Sequence, residues 1–387
     1  MIYLDNSSTT KQYDEVTIKM LQMMQQDFGN PSSLHRLGFT AENAMKDARK
    51  SVAASIGATE KEIYFTSGGT ESDNMALFSI AEAKKRQGNR IIISALEHPA
   101  VMDSAARLLS LGFEVIIIGV DEKGRLDLEQ LQNAINEKTV LISVMHVNNE
   151  TGTIMPIKEI YNSKKSEIIF HTDAVQAFGK IPVKADSADL ITLSSHKIHG
   201  PKGCGALFLR KDIHMGPLFY GGGQEKKLRS GTENVPAIVG FGVAASIVYE
   251  NQKKNAAKMS EVRRYLLEGI KAEIRDCKIN SVEEDSPDGQ SGFCSPAILN
   301  VSFLGTRGEV LLHGLERENI YVSTGSACAS KKKEKSHVLT AMGLSEKEIE
   351  GTLRFSFSEF NTINEMDFVL NKLKQEVNRF RKLGSFR

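Results

Sequence analysis

The sequence predicts an α/β protein with a mostly parallel sheet covered on both faces, followed by a smaller α+β part. Three observations lead there. Between residues 63 and 209, short Ile/Val/Leu runs alternate with helical patterns, which is how strands buried on both faces read. The polar residues best suited to chemistry stand just after those runs. Beyond about residue 255 the regular alternation stops and strands and helices follow in mixed order.

Taken in order, residues 1–12 hold a short apolar start and a polar turn. Residues 14–28 have helical spacing, with Val16, Met20, Met23 and Met24 apolar, and Pro31 stops the helix in the loop that follows. A second helical pattern covers 41–56. Strands are expected at 63–66, 90–94, 115–118, 140–145, 168–171, 189–193 and 205–209, with helices beginning near 74 and over 126–135. Residues 221–232 form a long polar loop suited to a lid or a subunit-crossing role. Residues 236–254 and 261–274 read as two helices, and 280–295 as an exposed connection. Strands at 298–303 and 352–356, a helix at 309–318 and an amphipathic helix at 365–381 complete the chain.

The 387 residues suffice for two domains or one large domain with an appendage, and 41% hydrophobic with 25% charged residues is ordinary for a globular chain. A formal net charge of +1 provides no global basic field for nucleic acid or an anionic membrane. The four cysteines, Cys204, Cys277, Cys294 and Cys328, form no CxxC or Cys/His cluster with zinc spacing, so no metal is expected. The start of the chain has no basic stretch leading into an apolar one. The longest weakly polar run, 235–248, is about 14 residues, too short to cross a bilayer. A reducing, cytoplasmic setting is expected.

Two features carry chemistry. Ser67-Gly-Gly-Thr-Glu-Ser72 joins a strand to a helix, and glycines there leave backbone N–H groups free at a helix N-terminus, a seat for phosphate with Thr70 and Ser72 hydroxyls beside it. The same residues read equally as a helix cap. Lys197 follows the run at 189–193, and Asp173 ends the run beginning at 168. A lysine and an aspartate at neighbouring strand exits suit pyridoxal phosphate (PLP), which needs an amine for its aldehyde and an acid beside its ring nitrogen. Taken alone, Lys197 reads better as an ordinary surface lysine and Asp173 as a loop or cap residue. Their company is Thr70, His98, Asn149, Gln176, Ser194 and His196, all at expected strand exits, where open α/β sheets bind ligands.

The motifs together resemble the group I (NifS/IscS-type) cysteine desulfurases, within the PLP-dependent fold-type I, class V aminotransferase family. They are Tyr3-Leu-Asp-Asn-Ser-Ser-Thr-Thr10, Phe28-Gly-Asn-Pro-Ser-Ser33, Phe65-Thr-Ser-Gly-Gly-Thr-Glu-Ser-Asp-Asn74, Glu97-His98, Met145-His-Val-Asn-Asn-Glu150, His171-Thr-Asp-Ala-Val-Gln176, Ser195-His-Lys-Ile-His-Gly-Pro-Lys-Gly203, Arg229-Ser-Gly-Thr232, Ser323-Thr-Gly-Ser-Ala-Cys328 and Leu353-Arg-Phe-Ser356. They span nearly the whole chain in family order. The resemblance implies a large PLP-binding domain over 13–255 with a mostly parallel seven-stranded sheet, and a smaller α+β domain from 1–12 and 256–387 that carries the catalytic cysteine loop.

It also implies roles. Lys197 matches the Schiff-base lysine, Asp173 the ring-nitrogen partner, and His98 the residue stacked on the ring and assisting proton transfer. Gln176 and Asn149 match positions near the ring oxygen and the substrate carboxylate. Gly69, Thr70, Ser194 and His196 match the phosphate site, with Thr232 supplied from the neighbouring subunit of a homodimer. Arg354 matches the receptor of the substrate carboxylate and Cys328 the sulfur-accepting nucleophile, which leaves Cys204, Cys277 and Cys294 as structural or incidental. The implied reaction converts L-cysteine to L-alanine and moves sulfur as a Cys328 persulfide to an acceptor protein, an iron–sulfur scaffold or a tRNA-thiolating enzyme. The end of the sequence at Phe386-Arg387, soon after the last helix, leaves room for the latter. Alternatives on the same fold are a selenocysteine lyase or an aminotransferase; a non-catalytic sulfur-trafficking protein would have no use for Lys197, Asp173 and Cys328 together.

Overall fold

A computed structural model describes residues 1–324 and 335–384, the side chains of the last two described residues excepted. In chain order the elements are β1 (Ile2–Tyr3), α1 (Asp14–Gln25), α2 (Arg36–Ile56), β2 (Ile63–Thr66), α3 (Gly69–Lys84), β3 (Arg90–Ser94), α4 (Pro99–Ser110), β4 (Glu114–Ile118), α5 (Leu128–Ala134), β5 (Thr139–Ser143), α6 (Ile157–Ser163), β6 (Ile169–Asp173), β7 (Leu190–Ser194) and β8 (Gly205–Leu209). Then come α7 (Val235–Glu273), β9 (Cys277–Ile279), β10 (Ile298–Phe303), α8 (Gly308–Glu316), β11 (Ile320–Tyr321), α9 (His337–Ala341), α10 (Glu346–Glu350), β12 (Thr352–Ser356) and α11 (Ile363–Gly384).

Strands β2 to β8 make one seven-stranded sheet in the order β2-β8-β7-β6-β5-β3-β4. Only β8 runs against the others, pairing antiparallel with both β7 and β2. The link from β7 to β8 is too short for the crossover a parallel neighbour needs. Successive side chains point to opposite faces. Ile91 and Ile93 therefore pack with Met75, Leu77 and Val101 of α3 and α4, while Ile92 joins the opposite core with Phe170, Phe178 and Phe241. Both faces are covered, which is why these strands read as continuous apolar runs.

The second part holds a three-stranded antiparallel sheet, β12-β10-β9. The N-terminal arm joins it: β1 pairs with β11, and Asp5 bridges to Ser356. Instead of two helices, 235–273 is one 39-residue helix. The residues expected to separate them, 255–260, continue the helix, with Asn255, Ala256, Met259 and Ser260 buried on one face. No proline follows Pro236 within it, so nothing interrupts the backbone hydrogen bonds.

Candidate active site

The parallel strands end on one side, and five of those ends surround a cavity of about 660 Å³. The exit of β2 supplies Gly69 and Thr70; β3 supplies His98, β5 Asn149, β6 Asp173 and Gln176, and β7 Ser194, His196 and Lys197. Arg354 reaches the same cavity from β12, and Ser7 and Ser8 from the N-terminal arm. Residues far apart in sequence meet because a parallel sheet puts every carboxyl end at one edge.

Lys197 closes a single turn, Ser195–Lys197, directly after β7. Its Nζ donates to the carbonyl oxygens of Ser7 and Ser8 at 2.6 and 2.7 Å. The arm is held against this turn by Thr10, whose N–H and hydroxyl donate to the His196 carbonyl at 3.0 and 2.9 Å. Gln176 Nε2 also donates to Ser7 O, at 2.8 Å.

Asp173 is buried, and Oδ1 accepts the Val175 N–H at 2.9 Å. Burial raises its pKa to about 6, against the pull of that N–H and of Lys197. Such a carboxylate gains most from a cationic N–H placed against it. The same cavity is lined by Asp73, buried and held well above the usual carboxylate range by burial and by Asp173. Its spacing three residues after Thr70 puts both on one face of α3. His171, 3.6 Å from Asp73 and bonded to Ser143 and Thr192 hydroxyls, is kept neutral by burial, its pKa lowered to about 3.

His98 caps α4, its Nδ1 accepting the Ala100 N–H at 3.1 Å. That leaves the proton of the neutral ring on Nε2. Burial, then the nearby Lys197 charge, lowers its pKa to about 4. Arg354 is almost fully buried: Nη1 donates to Asn149 O at 2.9 Å, and Nη2 to Asp5 Oδ1 and Ser8 Oγ, both at 2.8 Å.

The start of α3 bears no side-chain cap among the described residues, so its first N–H groups face the cavity with Gly69 and Thr70. Close approach of backbone shapes this turn. A Cβ on Gly205 would stand 2.7 Å from Gly68 Cα, and one on Gly69 2.9 Å from Val175 Cγ2. The donor set therefore fits a phosphorylated pyridine aldehyde: an anion seat at a helix start, an amine, and a buried acid.

The comparisons with known proteins come down on the same group. The family model described as aminotransferase class-V matches residues 2–369. The chain belongs to the aminotransferase class-V family. Among curated class-V relatives, "Cysteine desulfurase IscS" of Methanosarcina thermophila is 45% identical over 386 residues, covering 99% of this chain and 93% of that protein. A solved structure described as "NIFS-LIKE PROTEIN" superposes with a TM-score of 0.90 at 37% identity, covering 97% of this chain and 99% of that one. Another, "SspA in complex with cysteine", has a TM-score of 0.79 at 35% identity, covering 94% and 100%.

Of the expected site residues of this class-V chain, Gly69, Thr70, His98, Asn149, Asp173, Gln176, Ser194, His196, Lys197 and Arg354 line the one cavity. Thr232 does not; it is exposed on the loop after Arg229. Cys328 lies outside the described residues. Cys204 and Cys294 are buried and Cys277 half-buried, and burial raises all three thiols. Sequence reasoning missed the Ser7 and Ser8 carbonyls, Asp73, Glu97 and Glu150. Glu97 is fully buried, accepting from Ser94 Oγ at 2.5 Å and Met145 N at 2.8 Å, and burial raises its pKa to about 8. No helix among the described residues is long and apolar enough to cross a membrane.

Proposed function

We propose that this chain is a PLP-dependent cysteine desulfurase, converting L-cysteine to L-alanine and taking the sulfur as a persulfide on Cys328. The observation that carries the reading is the convergence of Lys197, buried Asp173 and Arg354 on one cavity. The identity of 45% with a cysteine desulfurase over 99% of the chain supports the same enzyme class.

When bound, PLP supplies an aldehyde for the substrate amine and a ring that takes up the electron pair left on its α-carbon. Lys197 would hold the aldehyde carbon, Asp173 the ring nitrogen, His98 the ring face, Gln176 the ring oxygen, and Gly69, Thr70, Ser194 and His196 the phosphate. Thr232, exposed on its own chain, is presented to the phosphate of a second copy in a homodimer.

Arg354 receives the substrate carboxylate, its fork oriented by Asp5, Ser8 and the Asn149 carbonyl. Lys197 Nζ takes the α-proton, and His98, neutral at working pH, stands in the same cavity to exchange it. The Cys328 thiolate attacks the substrate sulfur: the S–S bond forms as the Cβ–S bond breaks, and the pair from that bond ends on carbon, where a proton completes the methyl group of alanine. No outside oxidant or reductant is needed. The persulfide then passes to an acceptor, an iron–sulfur scaffold or a tRNA-thiolating enzyme, in the cytoplasm.

The test is alanine formation from L-cysteine by the PLP-loaded protein. Lys197→Ala should lose both the visible absorbance and the alanine. Undiminished alanine from that variant would overturn the reading.

A further inference from the structure

A second ammonium is buried next to the site, and no step above uses it. Lys180 is 6% exposed. It lines a small void of about 20 Å³ that Lys197 also lines, whereas the main cavity is lined by Lys197 without Lys180. Lys180 thus stands behind Lys197. A buried cation costs free energy that an apolar side chain of its length would not.

Its contacts form a short chain of polar groups. Lys180 Nζ donates to Gln176 Oε1 at 3.2 Å. An ammonium has no acceptor, so this bond decides which end of the amide faces it. Gln176 Nε2 is left to donate to Ser7 O at 2.8 Å, the oxygen that accepts Lys197 Nζ at 2.6 Å. Ammonium, amide and carbonyl therefore connect Lys180 to Lys197 through a residue that faces the cofactor site.

The titratable and charged groups around Lys180 come from three places. The turn after β7 contributes Lys197, His196 and His199; β12 contributes Arg354; the segment after β12 contributes Glu359. Glu359 is already engaged by the Tyr13 hydroxyl and His199 Nε2. From α7 the void is lined by uncharged Val248, Asn255 and Met259. Burial first, then Lys197, brings the Lys180 pKa down to about 7, with Glu359 opposing.

We propose that Lys180 is a positioning residue for the reaction, orienting the Gln176 amide toward the cofactor and setting the charge felt by Lys197. A cation behind Lys197 opposes a second positive charge on its nitrogen, so the two groups take up protons in a coupled way. The inference rests on the reading of Lys197 as the cofactor lysine.

The test is a pH titration of the visible absorbance of the PLP-loaded enzyme, together with the dissociation constant for PLP. The wild type should titrate over a broad range, as two coupled protons do. Lys180→Met and Lys180→Gln should titrate as single groups, with midpoints raised by about one pH unit. Lys180→Arg, whose guanidinium stays charged throughout, should titrate as a single group with its midpoint at or below that of the wild type. Lys180→Gln, which still donates to Gln176, should hold PLP more tightly than Lys180→Met; it also decides the matter if the methionine variant does not fold. Midpoints that coincide in wild type, Lys180→Gln and Lys180→Arg would overturn the role of Lys180 and leave the PLP reading standing. A visible band that does not titrate would overturn the role of Lys180 alone, and a wild type with no visible band after PLP loading would overturn both.

Discussion

Lys197 Nζ and Gln176 Nε2 donate to one acceptor, the Ser7 carbonyl oxygen, at 2.6 and 2.8 Å. The N-terminal arm is thus part of the site, and it is anchored from the other side. Asn6, buried, donates to Ser356 O at 2.9 Å and Tyr3 O at 3.2 Å. Asn6→Ala takes one donor from each carbonyl, leaving the Asn6 N–H on Ser356 O and Asn361 Nδ2 on Tyr3 O, and each lost bond costs about 0.5–1.5 kcal/mol. Urea unfolding should show that loss. Equilibrium titration with PLP should show weaker binding, because the Ser7 and Ser8 carbonyls are no longer held in place.

Arg354 presents its fork to the cavity with Asp5 and Ser8 behind it. Charged hydrogen bonds contribute about 1.5–3 kcal/mol. Arg354→Ala should raise KM for L-cysteine about 10- to 100-fold. PLP binding should change far less, since the residues proposed to hold its phosphate and ring are others. Steady-state kinetics and PLP titration separate the two effects.

A methyl group on Gly205 would collide with Gly68 Cα and Leu193 O, both 2.7 Å away. Both are backbone atoms, so the turn that leads into α3 must shift. Overpacking of this kind costs about 1–3 kcal/mol. Gly205→Ala should weaken PLP binding about tenfold or more while far-ultraviolet circular dichroism stays that of the wild type.

Glu97 gives the fold a pH dependence of definite sign. Its folded pKa, raised to about 8 by burial, lies above that of an unfolded glutamate, about 4.3. Below the lower value both states are protonated and the group has no effect. Between the two the unfolded chain ionises and the folded one does not, so this contribution to stability is lost as pH rises to about 8. Glu97→Gln removes the effect. Its stability relative to wild type should therefore increase from pH 5 to 8 in urea unfolding; a difference independent of pH would contradict the account.

The α/β architecture was legible because strands covered on both faces read as unbroken apolar runs, as at Arg90–Ser94 and Leu190–Ser194. The polar site residues were legible for the same reason: each stands where such a run stops, and the sheet carries all the stops to one edge. Ser7 and Ser8 were not legible as acceptors for Lys197, because a backbone carbonyl leaves no mark in the sequence and the contact spans nearly the whole first half of the chain. Asp73, Glu97 and Lys180 look like ordinary helix and loop charges until the fold buries them. The unbroken course of α7 was hidden at 255–260, where Asn255, Lys258 and Ser260 interrupt the apolar spacing, although Asn255 and Ser260 are buried in the fold.

The most direct test of the whole account follows the sulfur. The PLP-loaded protein is mixed with a small excess of L-cysteine, and alanine is measured alongside the mass of the cysteine-bearing peptides. The account predicts one sulfur atom added on Cys328 in step with the first alanine formed, and loss of both in Cys328→Ser. Alanine and sulfur released at an unchanged rate by Cys328→Ser would contradict it.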